Sequence, residues 1–201
     1  MHFLYRLLEN PTIYKLSQIL LGPGAERAIT RKIISLQELL PVTKLTLDVG
    51  CGPSSWLRRV GGHPVGLDIS FPYSVAYTTA GETAITGSAT ELPFADKSFD
   101  GIWSIGLLHH LPKNAARMAI LEMCRVCKPG GYVAVFDAVL PLSPWRHPLA
   151  YLVRKLDRGK FMRTQAELET LLPVLSPWSV TRFTYAANGL EMLLCWNKKT
   201  A

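Results

Sequence analysis

Residues 47–54, Leu-Asp-Val-Gly-Cys-Gly-Pro-Ser, constrain this chain more than any other stretch. A short apolar segment (Leu45, Leu47, Val49) carries one acid, Asp48, breaks at Gly50 and Gly52, and leads into a predicted helix through Trp56 and Leu57. That order is a strand-to-helix turn. Two glycines two apart let the backbone bend with no Cβ in the way, so a ligand can lie directly against the main chain at the helix start. A pyrophosphate turn would call for unpaired N–H groups and a third glycine three residues later, where this chain has Ser55. The carboxylate of Asp48 suits a positively charged ligand instead, such as an α-amino group or a sulfonium.

The D-x-G-x-G pattern of these residues resembles the first motif of class I S-adenosylmethionine-dependent methyltransferases. A second stretch, Gly87-Ser88-Ala89-Thr90-Glu91-Leu92-Pro93-Phe94-Ala95-Asp96-Lys97-Ser98-Phe99-Asp100, resembles the G-D-A-x-x-L-P-F-x-D-x-S-F-D signature of their ubiquinone/menaquinone-type branch. A third, L-E-M-C-R-V-C-K-P-G-G at 121–131, is similar to the same branch's L-x-E-x-x-R-V-L-K-P-G-G, with Cys127 in place of Leu. The resemblance covers residues 43 to 138 and fades on either side. It implies that S-adenosylmethionine is the cofactor and S-adenosylhomocysteine the product. The cofactor-binding set it implies is Asp48, Gly50, Cys51, Gly52, Asp68, Ile69, Ser88, Ala89, Thr90, Ser104 and Ile105. Within that set Asp68 would accept both ribose hydroxyls, as the two oxygens of a carboxylate allow. Ile69 would lie flat on the adenine, Ser88 would stand where the family usually has an Asp for the adenine amino group, and Ser104 and Ile105 would run along the methionine part. His109 and His110, at the end of the fourth strand, are the candidate catalytic residues, since an imidazole titrates near neutral pH.

The elements in order predict a doubly wound, mainly parallel seven-stranded α/β sheet with a C-terminal antiparallel hairpin, the Asn188-Gly189 pair marking its turn. One domain is expected, with an N-terminal helical lid (1–41), a cofactor core (42–138), a basic substrate insertion (139–163), and a C-terminal helix and hairpin (164–201). The lid makes Tyr5 and Tyr14 candidate pocket residues, and the insertion offers Trp145 and Arg146.

The charge of +7 is concentrated outside the core: residues 139–163 hold six Lys or Arg against one acid, while 45–138 hold seven against eight. A solvated basic face is the plain reading. Attraction of an anionic substrate or an acidic membrane surface is the sharper one. A nucleic-acid partner is not expected, because the basic residues are not interleaved with aromatics. The four cysteines give no zinc spacing and no disulfide framework, and no metal is expected. Without a signal segment or an apolar run of about 18 residues, the chain reads as cytoplasmic. The expected activity is methyl transfer to a small molecule. A non-catalytic adenosylmethionine-binding protein and a nicotinamide-dependent oxidoreductase are the alternatives.

Overall fold

The computed structural model describes residues 24–156, 159–174 and 177–200. The expected lid residues Tyr5 and Tyr14 lie outside the described residues. Seven strands form one sheet: β1 (Thr46–Val49), β2 (Val65–Asp68), β3 (Ala84–Thr86), β4 (Phe99–Ile105), β5 (Cys127–Val139), β6 (Ser179–Thr184) and β7 (Glu191–Lys198). Their order is β3-β2-β1-β4-β5-β7-β6, with β7 antiparallel to both of its neighbours. The chain steps outward from β1 through β2 to β3, then returns to the other side of β1 with β4. The gap between those two directions, at the carboxyl ends of β1 and β4, is where open α/β sheets leave a crevice.

Side chains alternate across each strand, and here both faces are covered. Leu47, Ile102, Val133 and Val135 pack on one face against Ala116, Ile120 and Met123 of a helix spanning Lys113–Val126. Trp103, Ala134, Phe136 and Leu194 pack on the other against Ile29, Ile33 and Leu36 of the helix Ala25–Gln37. In chain order the helices are α1 (Ala25–Gln37), α2 (Phe71–Thr79), α3 (Lys113–Val126), α4 (Pro148–Leu156) and α5 (Gln165–Glu169).

Several local expectations shift. The helix expected after the glycine turn is a single 3₁₀ turn, Leu57–Val60, stopped by Gly61 at φ 81°. The segment after β2 makes the nine-residue α2, with Pro72 in its first turn, where a missing N–H costs nothing. The Lys-Pro-Gly-Gly run lies inside β5, which begins at Cys127 and whose register against β4 shifts between Phe99 and Gly101. Thr164 and Glu167 form the reciprocal capping box that their spacing announces, although α5 spans only five residues.

The Leu-Pro-Phe-x-Asp stretch is held by two side chains, Arg125 and Glu122. Arg125 bonds both oxygens of Glu122, Asp96, and the carbonyls of Leu92 and Phe94, while Glu122 also accepts the Leu92 amide. The Arg125 guanidinium holds the Glu122 carboxyl below the usual carboxylate range. This clamp fixes the loop that follows β3 against α3.

Candidate functional site: a cleft at the ends of β1, β2 and β3

The turn after β1 folds down onto the end of β2. Gly50 and Cys51 both donate their amides to the Leu67 carbonyl, at 2.7 and 3.1 Å, and Gly52 donates to Asp68 Oδ2 at 2.9 Å. Gly50 and Gly52 take φ of 75° and 62°, a region costly for any residue with a Cβ. At Gly50 a Cβ would also stand 2.9 Å from Leu107 Cδ1. Three successive amides are thus engaged inside the fold. What this turn presents outward is bare backbone, not the nest of donors a pyrophosphate requires.

Asp48 sits beneath the turn, fully packed. Its Oδ2 accepts the Ser55 hydroxyl at 2.5 Å, and Ser55 Oγ in turn accepts the Leu57 amide, so Asp48 organises the turn from below. Its other oxygen, Oδ1, is buried without a hydrogen-bond partner among the described residues. Burial raises the Asp48 pKa to about 7; the Ser55 bond works against that rise and the nearby Asp68 charge adds to it. A buried carboxylate oxygen with no donor is the kind of group that a cationic ligand completes.

Asp68 ends β2 on the rim. Oδ1 accepts the Ser70 amide and Oδ2 the Gly52 amide, both at 2.9 Å, leaving lone pairs on each oxygen for further donors. Ile69, beside it, is 79% exposed, an apolar side chain standing in solvent at the end of a core strand. Ser88 Oγ and Thr90 Oγ1 are 2.8 Å apart, and Ser88 Oγ accepts the Thr90 amide, closing the turn after β3. The cleft is lined by Gly50, Asp68, Ile69, Ser88, Ala89 and Thr90 of the expected set, and also by Leu67, Gly87, Leu107 and Leu111.

The remaining expected residues stand elsewhere. Asp48 and Cys51 are buried behind the turn, and burial pushes the Cys51 thiol far up. Ser104 and Ile105 are buried at the end of β4, Ser104 Oγ without a partner among the described residues. His109 does not line the cleft. It is buried, with its ring Nδ1 2.5 Å from Asp137 Oδ1 and its amide donating to Asp137 Oδ2, and residues 159–161 lie over it, Phe161 donating to the His109 carbonyl. His110 is exposed, its ring centroid 4.2 Å from that of His109. Trp145 is 94% exposed, and neither it nor Arg146 lines the cleft. Arg163, by contrast, turns inward and donates to the carbonyls of Leu108 and Leu111, bracing the wall of the cleft. Leu107 and Leu111 escaped the sequence reading because an apolar residue after a buried strand looks like core. Among the described residues no three His, Cys, Asp or Glu side chains gather as a metal site.

The family model for a methyltransferase domain matches residues 47–135. Among curated proteins, the chain is similar to the tRNA (carboxymethyluridine(34)-5-O)-methyltransferase of Arabidopsis thaliana, 36% identical over 52% of this chain and 26% of that protein. It is also similar to the demethylmenaquinone methyltransferase of Renibacterium salmoninarum, 31% identical over 71% of this chain and 62% of that one. The chain spans about a quarter of the length of the first curated relatives it matches. Among solved structures, the N-methyltransferase NodS of Bradyrhizobium japonicum, in complex with S-adenosyl-L-homocysteine, aligns with a TM-score of 0.73 at 16% identity, over 100% of this chain and 98% of that one. At that identity the likeness speaks to the fold alone. Residues 47–135, which carry most of β1, all of β2 to β4 and much of β5, are thus similar to a methyltransferase domain.

Proposed function

We propose that the cleft holds S-adenosylmethionine and that this protein catalyses transfer of its methyl group to a small-molecule acceptor. One observation carries the reading: Asp68 is hydrogen-bonded to the glycine turn through Gly52, so the ends of β1 and β2 form one cradle. In that cradle Asp68 keeps acceptor capacity for a pair of hydroxyls, Ile69 offers an apolar plate for a base, and Ser88 with Thr90 offers polar atoms at its edge. Asp48, buried beneath the turn with Oδ1 lacking a donor among the described residues, places an acidic group under the cradle that favours the cation of an amino-acid tail over an anion.

The cofactor brings a methyl group already activated for transfer. This chain's part is then to bind, orient and exclude water, and positioning alone can lower such a barrier by about 7 kcal/mol or more. A dedicated base is optional. His110, exposed beside the cleft wall, is the better placed of the two histidines to meet an acceptor, whereas the buried His109–Asp137 pair holds the loop together.

The engaged amides of Gly50, Cys51 and Gly52 count against a nicotinamide dinucleotide, which needs such donors for its phosphates. A small acceptor is favoured over tRNA. The likeness to the tRNA-directed relatives covers about half of this chain and about a quarter of theirs, so it bears on the donor side of the reaction. Incubation with methyl-labelled cofactor and fractionated extract is the test. Label in a small organic fraction is the expected result; label in RNA alone would reassign the acceptor, and no transfer despite cofactor binding would leave a non-catalytic binding protein.

A further inference from the structure

We propose that the loop after β5 together with the outer face of α4 is a docking surface for an anionic lipid bilayer. Among the described residues, the helix is fastened by one side. Ala150 packs with Ala186 and Leu190, and Arg154, four residues on, donates to Tyr185 Oη at 2.7 Å and to the Glu191 carbonyl at 3.0 Å. The opposite side carries Leu149 and Leu152, three apart and 57% and 53% exposed. A surface helix with one packed face ordinarily turns polar residues to water; this one turns leucines. The preceding loop adds Leu142 at 75% and Trp145 at 94% exposed. Such a cluster contributes nothing to the packed core and marks an interaction surface.

Charge selects the partner. Residues 139–163 hold six basic residues and one acid. Two of the six, Arg154 and Arg163, are turned inward, while Arg146, Lys155 and Lys160 of the same segment are exposed. A second copy of this chain would bring the same positive rim against itself. A nucleic acid would use the cations but leave three leucines in water, since aliphatic side chains neither stack nor bond a phosphate. An anionic bilayer uses all of them: acyl chains for the leucines, the headgroup layer for Trp145, and lipid phosphates for the cations. Among the described residues no helix is long and apolar enough to cross a membrane, so contact of this kind would be peripheral. The β7 residue that pairs with Val139 at the end of β5 is Glu191, which α4 touches. The surface therefore stands at the same end of the sheet as the cleft.

Co-sedimentation of the full chain with vesicles tests this without any cofactor, so its outcome is separate from that of methyl transfer. Vesicles of phosphatidylcholine with about a third phosphatidylglycerol are expected to bind the protein at least about tenfold more tightly than phosphatidylcholine alone. A Leu149→Ser/Leu152→Ser variant is expected to lose at least about tenfold in that binding with an unchanged thermal melt, and Lys155→Glu to lose several-fold. No binding to anionic vesicles would overturn the proposal. So would binding that the leucine variant retains in full, or binding that single-stranded RNA displaces equally well from both proteins.

Discussion

The Asp68 carboxylate accepts the Gly52 amide at 2.9 Å, and this bond ties the end of β2 to the turn that ends β1. Removing the carboxylate therefore does two things at once. It takes away the acceptor proposed for the ligand's hydroxyls, and it releases the turn that those hydroxyls would lie against.

Asp48 has a pH signature of its own. Its folded pKa, about 7, stands above the ordinary value of 3.8, so the folded state holds this proton more tightly than the unfolded chain. Stability tied to that proton is present at low pH and is lost as pH rises from about 4 to about 7, at up to about 1.4 kcal/mol per unit. Asp48→Asn keeps an acceptor for Ser55 and carries no charge. Relative to the parent protein, it is expected to gain about 1–3 kcal/mol between about pH 5 and about pH 8 in urea melts, while binding S-adenosylhomocysteine more weakly at both. A difference that does not change with pH would mean that Asp48 is ionised in the fold throughout.

Ser88 stands where the family pattern has an acid. Its Oγ accepts the Thr90 amide, an arrangement that an aspartate reproduces with the same turn geometry. Ser88→Asp is expected to tighten S-adenosylhomocysteine binding by about fivefold, the effect of roughly 1 kcal/mol from a charge-assisted bond. Calorimetry reads this directly, and weaker binding would show that Ser88 does not face the ligand.

Asp137 accepts three donors, the His109 amide, His109 Nδ1 and the Ala138 amide, in a place 1% exposed. Asp137→Asn turns one acceptor into a donor and is expected to cost about 2–3 kcal/mol of stability. Its affinity for S-adenosylhomocysteine should stay within about twofold, because the pair lies off the cleft. A large loss of affinity with an unchanged melt would move His109 into the binding site.

Much of the sheet was legible because its central strands are apolar runs, β1 and β4 each followed at once by a glycine, and the loop signature between β3 and β4 is long. Asp48 and Asp68 were legible because each interrupts an apolar strand near its end. Three features were hidden. The hydrogen bonding of the Gly50–Gly52 amides depends on how far the turn folds onto β2, which spacing does not encode. The His pair looks the same in sequence whether it faces substrate or Asp137, and here a residue 28 positions away decides. Trp145 and Arg146 were grouped with the pocket on composition, but α4 packs against the β6–β7 turn and leaves Trp145 pointing to solvent.

On the proposed reading, the ends of β1 and β2 make a single cradle for the methyl donor. Calorimetric titration of S-adenosylhomocysteine, and of a nicotinamide dinucleotide as control, into the parent protein and Asp68→Ala tests it most directly. The expected result is binding of S-adenosylhomocysteine but not of the dinucleotide, and at least about tenfold weaker binding in the variant. Equal affinity in the two proteins, or binding of the dinucleotide alone, would contradict it.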